Sequence, residues 1–215
     1  MNTIKRLLDG NEKFKREDFP YFEKELKDSV QLGQRPEVLF IGCSDSRVTP
    51  DLMLNTQPGD MFILRNVGNF VPPYKADEDF HGSAAAIEFA VSVLNVTNII
   101  ICGHSHCGAC KSLYEDIPDD PTMIHVKVWL KLGEKAKERT LKNQKFTTKE
   151  GMYRATERNS IRHQLENLLT YPEVKRRVEN KKLLVHGWYY DIETGNIDFY
   201  DKEEDNFKPL KEFFK

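Results

Sequence analysis

Two short segments of the chain carry residues that could do chemistry together. In Ile41–Arg47, the thiol of Cys43 lies two residues before the carboxylate of Asp45 and four before the guanidinium of Arg47. About 60 residues later, Ile101–Cys107 combines cysteine with histidine. Thiolates and imidazoles are ligands that zinc prefers in proteins. We therefore interpret the two segments as parts of one zinc site that meet in the folded chain.

Each segment begins in a short apolar run of the kind that forms a strand buried on both faces of a parallel sheet. Ligands of open α/β sheets gather beyond the carboxyl ends of such strands. Cys43 and His104 both lie there, and Cys107 follows His104 by one turn. The three side chains would form a Cys2His set with a fourth tetrahedral position left for water. An open position is typical of a catalytic rather than a structural zinc site.

Other interpretations of the same residues remain open. Cys43 and Cys107 could each be an ordinary buried thiol, and Cys102 lies inside an apolar run, where packing is the expected role. His106 would point differently from His104, so we expect it at the surface or behind the ligands. Cys107 and Cys110 also form a CxxC pair, which could be a redox dithiol at the start of a helix.

The pair of Asp45 and Arg47 favours the metal interpretation. Two residues apart in an extended or turn segment, these side chains can form a charge-assisted pair beside a metal. The alternative for the pair alone is a structural salt bridge in a loop. A redox dithiol has no use for such a pair, whereas a zinc-bound hydroxide does.

The elements that must position these residues predict an α/β fold, with a mostly parallel central sheet of four to five strands flanked by helices. Buried strands are indicated at 37–42, 61–64, 98–102 and 182–187, with a hairpin across 190–200. Helices are expected over 82–94 and from about Cys107. Residues 1–32 predict an amino-terminal arm of one or two amphipathic helices, and the charged tail predicts a surface helix.

Composition narrows the class of protein. The chain has 215 residues, of which 39% are hydrophobic, and a net charge of −2. The length suits a single domain over 1–215, and the charge argues against a nucleic-acid surface. We find neither a signal-peptide core nor an apolar run long enough to cross a membrane, so we expect a cytoplasmic protein with reduced thiols.

The two motifs, Cys43–Arg47 and His104–Gly108, resemble the signature of β-class carbonic anhydrases. The resemblance covers about residues 35 to 200. It extends through five further stretches: Gln57–Asp60, Arg65–Asn69, Val71–Tyr74, Ala84–Glu88 and His186–Asp191.

That family implies one zinc ion per subunit, held by Cys43, His104 and Cys107, and the reversible hydration of CO2 to bicarbonate. It also implies homodimers, which can pair into homotetramers, with the active site at the subunit interface. The amino-terminal helices of the family embrace a neighbouring subunit. Residues 1–32 would accordingly form an arm that packs on a partner.

The resemblance also assigns roles to single residues. Asp45 would accept the hydrogen of a zinc-bound hydroxide and so orient it, and Arg47 would hold Asp45 off the metal. Gln57, supplied across the interface, and Gly108 would bind substrate. Two thiolates weaken zinc as a Lewis acid relative to three imidazoles, so activity is expected to rise above neutral pH.

Two finer points follow from the same comparison. In one subtype, Asp45 can close the site by binding zinc; that subtype has Trp where Phe40 stands here, although Arg65 and Tyr190 match it. Gln57 and Val71–Tyr74 instead resemble the plant-like, constitutively open subtype, which we expect here.

The proton that leaves the zinc-bound water needs a route to solvent. His81, His106 and Tyr190 are the candidates for this shuttle. Relatives with the same zinc core that hydrolyse CS2 or COS, and a thiol redox or zinc-sensing protein, are the competing functions.

Overall fold

The computed structural model describes residues 2–77, 79, 81–143 and 146–214. Its centre is one six-stranded sheet with the spatial order β2-β1-β3-β4-β5-β6. The strands are β1 Val38–Cys43, β2 Met61–Asn66, β3 Asn98–His104, β4 Leu184–Tyr190, β5 Ile197–Asp201 and β6 Asn206–Pro209. β1 to β4 run parallel, and β5 and β6 are antiparallel. The predicted α/β class and mostly parallel sheet are confirmed, with one strand more than expected.

Helices connect and cover these strands. They are α1 Thr3–Glu17, α2 Phe19–Leu32, α3 Pro50–Leu54, α4 Gly82–Glu88, α5 Gly108–Ser112, α6 Ile124–Leu130, α7 Glu134–Asn143, α8 Lys149–Leu168 and α9 Pro172–Glu179. The helix expected over 82–94 is present, but its second half, Phe89–Val93, winds as a π-helix. The tail is not the surface helix that its charge predicted, because β6 and a short 3-10 turn occupy it.

The central strands are buried on both faces, as their unbroken apolar sequences predict. Leu39 and Ile41 of β1 pack in a cluster with Ile99 and Ile101 of β3 on one face of the sheet. Phe40 lies in a separate cluster on the other face. This alternation follows from the two-residue repeat of side chains along a strand.

Helix α8 lies close against the sheet because two strand positions have no side chain. A Cβ added at Gly103 of β3 would lie 2.8 Å from Ile161, and one at Gly187 of β4 would lie 2.7 Å from the same residue. Real Cβ atoms do not approach neighbours so closely. Glycine at both positions therefore lets α8 approach β4 and β3, and the carboxyl end of β3 forms part of the site described below.

The amino-terminal helices α1 and α2 contain no buried residue. Their apolar side chains remain open, with Ile4, Leu7 and Leu8 each about 60% exposed. The predicted amphipathic helices are thus confirmed, and their docking on a partner stays a prediction. No helix in the described ranges has the length and apolar character needed to cross a membrane.

Candidate metal centre

The three predicted ligands meet at the carboxyl ends of the central parallel strands. Cys43 is the last residue of β1 and His104 the last of β3, and these strands are parallel neighbours in which Gly42 pairs with Cys102. Cys107 immediately precedes α5. One ligand atom from each of the three residues lies within 4.8 Å of the other two, and all three residues are buried. The rule that ligands of open α/β sheets gather beyond the carboxyl ends of the strands therefore predicted this cluster correctly.

His104 presents one free nitrogen to the cluster. Its Nδ1 lies 2.8 Å from the carbonyl oxygen of Ser105, so Nδ1 carries the proton and donates it there. Its Nε2 is buried and has no hydrogen-bond partner in the described part of the chain. A buried imidazole nitrogen without a hydrogen-bond partner, beside two thiols, is a donor arrangement that suits a zinc site.

The thiols are protonated in the absence of a cation. A hydrogen bond with Cys107 and burial raise the pKa of Cys43 to about 12. The pKa of Cys107 is also raised, by its hydrogen bond with Cys110 and by burial. Backbone N–H groups of Asp45 and Gly68 point at the Cys43 sulfur, each at 3.4 Å. These donors would stabilise a thiolate once a cation displaced its proton.

Asp45 and Arg47 form the expected pair beside this cluster. Arg47 donates from Nε to Asp45 Oδ1 at 2.9 Å and from NH2 to Oδ2 at 2.7 Å. These hydrogen bonds hold the pKa of Asp45 well below its usual range. Arg47 also donates to the carbonyl of His106, while Arg65 donates to the carbonyls of Cys43 and Asp45. The carboxylate of Asp45 is therefore ionised and held in a fixed orientation.

Glu157 is a component of the site that the sequence analysis missed. It is 2% exposed, and its Oε1 accepts hydrogen bonds from the backbone N–H of Cys107 at 3.0 Å and from Arg154 at 2.8 Å. Its Oε2 accepts from the hydroxyl of Tyr189 at 2.8 Å. Burial raises its pKa to about 7. The position of Glu157 in the helical repeat could have indicated its burial, because it lies one turn before Ile161 on the apolar stripe of α8.

The three shuttle candidates lie in different surroundings. His106 is exposed, has a left-handed backbone with φ of 60°, and contacts Glu193 through Nε2 at 3.1 Å. His81 contacts Asp77 at 2.7 Å on an exposed loop. Tyr190 is half-buried at the end of β4, beside His104 of β3. His106 is linked to the pair of Asp45 and Arg47 through its own carbonyl, as described above.

The two predicted substrate-binding residues are separated in one chain. Gly108 is the first residue of α5, next to Cys107, and is exposed. Gln57 lies on an exposed turn before β2, where its backbone N–H donates to Asp60. That turn is at the amino end of β2, whereas Cys43 pairs with Asn66 at the carboxyl end. The structure therefore does not bring Gln57 to the centre of its own chain.

The remaining cysteines fit packing roles. Cys102 is fully buried with Phe40 and Ile100 on a sheet face. Cys110 is buried beside Cys107 at the start of α5, and all four cysteines are free. The CxxC pair is thus present in space as well as in sequence.

Fold and site together define an α/β protein with a candidate Cys2His metal centre at the carboxyl ends of parallel strands. Comparison with known proteins narrows that class. The sequence profile of the family described as "Carbonic anhydrase" matches residues 38–197. The carbonic anhydrase of Helicobacter pylori J99 is 40% identical over 211 residues, which is 96% of this chain and 94% of the relative. Beta carbonic anhydrase 3 of Arabidopsis thaliana is 35% identical over 206 residues, or 94% and 78% of the two chains.

Solved structures with a similar fold are also carbonic anhydrases. The β-carbonic anhydrase CcaA superposes with a TM-score of 0.89 at 37% identity, over 97% of this chain and 92% of that one. One of two tetrameric β-carbonic anhydrases from Sordaria macrospora gives 0.80 at 28% identity, over 93% and 97%. This chain therefore belongs to the β-class carbonic anhydrase family. Its activity is that of a carbonic anhydrase, a lyase (EC 4.2.1.1) that hydrates CO2.

Proposed function

We propose that the chain binds one zinc ion through Cys43, His104 and Cys107 and hydrates CO2 to bicarbonate at that ion. The observation that carries the proposal is the buried Nε2 of His104, which has no partner among the described residues yet lies beside two thiols. Two sulfurs and one imidazole nitrogen favour zinc over cations that prefer oxygen ligands. When bound, zinc would supply a hydroxide nucleophile by lowering the pKa of water.

Asp45 would orient that nucleophile. Because Arg47 keeps its carboxylate ionised, Asp45 can only accept a hydrogen bond and cannot donate one. An acceptor at this position would direct the lone pair of the attacking oxygen towards CO2. Arg47, Arg65 and the backbone groups they bind hold the acceptor in place, so little reorganisation is needed during reaction.

The substrate side would be completed by two further groups. Gly108 borders the centre next to Cys107, and its missing side chain leaves space for CO2 and bicarbonate. Gln57 would reach the centre of a second subunit, which agrees with its position at the opposite end of the sheet in its own chain. For the proton, His106, His81 and Tyr190 remain the proposed routes to solvent.

We further place the chain in the plant-like, open subtype. In the structure Asp45 is bound by both nitrogens of the Arg47 fork, as the open state requires. Phe40 stands where the closing subtype has Trp, and it is fully buried against Ile100 and Cys102.

Self-association is part of the proposal. The single domain of 1–215 would form homodimers that can pair into tetramers, with α1 and α2 as the arm on a partner. The exposed apolar side chains of α1 support this, because a helix gains little stability in water without burying such a stripe. A neighbour in the structural comparison is itself tetrameric. Free thiols suit the cytoplasm as the place of action.

Two serine variants separate this function from thiol redox chemistry. Cys43→Ser should abolish zinc binding and CO2 hydration, because it removes one of three protein ligands. Cys110→Ser should keep most of both, since Cys110 lies outside the ligand set. Zinc per chain by elemental analysis and stopped-flow hydration rates measure the two effects. A Cys110→Ser protein that retains zinc but loses function would instead favour the redox dithiol.

A further inference from the structure

The backbone of Cys107 is held from two sides, while its sulfur faces the other candidate ligands. Its carbonyl accepts the N–H of Lys111 at 3.1 Å, which begins α5. Its own N–H lies outside that helix and donates at 3.0 Å to Oε1 of Glu157, 50 residues further along the chain. With both backbone groups engaged, the side chain keeps only its rotation about the Cα–Cβ bond. The hydrogen bond to Glu157 therefore limits the directions in which the sulfur can point.

The peptide unit between His106 and Cys107 is clamped between two charged side chains. Its carbonyl oxygen, on His106, accepts from NH2 of Arg47 at 3.1 Å, and its N–H, on Cys107, donates to Glu157. His106 has a φ of 60°, a left-handed conformation that residues with a side chain rarely adopt. Such a conformation persists only where surrounding contacts fix it. Arg47 and Glu157 supply those contacts on opposite sides of one peptide unit.

Glu157 is itself fixed and shielded from water. It is 2% exposed, and its Oε1 also accepts from NH2 of Arg154 at 2.8 Å. Its Oε2 accepts from the hydroxyl of Tyr189 at 2.8 Å. The ring of Tyr189 is stacked in turn by the guanidinium of Arg158, 3.9 Å from the ring centre. The acceptor for the Cys107 N–H is therefore in place before any metal binds.

We propose that Glu157 is a positioning residue for the metal centre. By holding the N–H of Cys107, it makes the loop from His104 to Cys107 present both side chains to one cation. This inference rests on the proposed function, because it concerns the zinc affinity of that same site. Groups that orient metal ligands from behind typically contribute about 10- to 100-fold to metal affinity. The reach of the Glu157 oxygen, rather than its charge, carries the effect.

Two substitutions separate reach from charge. Glu157→Asp keeps the carboxylate but is one methylene shorter, so its oxygen falls short of the Cys107 N–H. Glu157→Gln keeps an oxygen at the same reach and loses the charge, and its amide can donate to the hydroxyl of Tyr189. Competition with a chelating dye measures zinc affinity. We expect it to fall about tenfold or more in the Asp variant and to stay within about threefold in the Gln variant.

Glu166→Asp is the matched control, because it makes the same change elsewhere on α8. The contacts of Glu166 in the described ranges are with Arg139 and His163, so zinc affinity should stay unchanged. Absorption of the cobalt(II)-loaded proteins gives a second measurement. The thiolate-to-cobalt band should change in Glu157→Asp alone. A role in stability only would lower the unfolding temperature of the metal-free protein and leave that band unaltered.

Loss of zinc affinity in Glu157→Gln, or wild-type affinity in Glu157→Asp, would overturn the proposal. A weaker Asp variant with an unaltered cobalt band would also overturn it, since the sulfur would then be correctly placed. The Gln variant preserves the buried hydrogen bonds, so its result decides even if the Asp variant fails to fold. Wild-type protein that binds no zinc would instead refute the proposed function, whereas failure of this inference leaves wild-type binding intact.

Discussion

Two of the three candidate ligands are thiols that must change protonation state to bind a metal. The pKa of Cys43 is raised to about 12 and that of Cys107 is raised as well, so both carry protons at neutral pH in the metal-free chain. Nδ1 of His104 donates to the carbonyl of Ser105, so Nε2 is the ring nitrogen that faces the two sulfurs. Protons therefore compete with zinc at the sulfurs.

Zinc binding should release about two protons per chain near neutral pH, one from each thiol. Because the ligand pKa values lie above neutrality, affinity should rise as pH rises and fall as pH falls. Zinc titration of metal-free protein in weak buffer with a pH indicator measures the release. Cys43→Ser is the control and should release no protons, since it should not bind zinc. A release close to zero would show that the sulfurs are not the ligands.

Asp45 gives a second prediction at the residue scale. Asp45→Asn preserves shape but removes the negative acceptor, so kcat/KM for CO2 should fall about 10²-fold while zinc content stays unchanged. Ser46→Ala, a neighbouring change outside the proposed machinery, is the matched control. Stopped-flow kinetics with parallel zinc analysis provides both readings. Unaltered kcat/KM at full zinc occupancy would exclude the orienting role.

The candidate ligand cluster could be predicted from sequence, whereas the contacts of Glu157 could not. Cys43 and His104 each end an apolar run. Because the carboxyl ends of parallel strands lie on one side of the sheet, the sequence alone predicts that the two residues lie close together. The contact between Glu157 and the backbone of Cys107 depends on which face of α8 meets the sheet, and at what distance. That depends on packing between segments 50 residues apart, which periodicity alone does not encode.

At the scale of elements, the close approach of α8 to the sheet fixes Glu157 and hence the start of α5. Ile161 lies opposite the two strand glycines, where an added Cβ would come within 2.8 Å of it. β6 shows why some elements escape sequence analysis. It has only four residues, includes Lys208 and Pro209, and lies at the sheet edge, where charge and proline are tolerated. Its composition therefore predicts a surface segment rather than a strand.

Gly187→Ala should destabilise the protein by about 1–3 kcal/mol, because its Cβ would lie 2.7 Å from Ile161. Ile161→Ala alone should cost about 2–5 kcal/mol through the cavity it leaves. The double variant should lose less than the sum, since the smaller side chain makes room for the new methyl group. Urea unfolding of all four proteins gives the coupling energy. Strict additivity would mean that α8 can move away without penalty.

A single chain does not bring all of the proposed active-site groups together. One chain holds the candidate ligands, Asp45 and Arg47 at one end of its sheet, while Gln57 lies at the other end. The arm of α1 and α2 likewise exposes an apolar stripe that its own domain does not cover. Both features are explained if the working unit is a dimer in which each chain completes the centre of the other.

Mixed dimers test that arrangement directly. Gln57→Ala should leave a zinc site without its partner-supplied group, and Cys43→Ser should leave a chain that supplies Gln57 but binds no zinc. In a hybrid, the zinc site of the first chain meets the Gln57 of the second and is intact. Random pairing of equal amounts makes half of the dimers hybrid, each with one intact site in two, so about a quarter of wild-type activity should return. Refolding the two variants together, with each refolded alone as the control, measures the recovery by stopped flow. If the mixture gives only the mean of its components, Gln57 does not act across the interface.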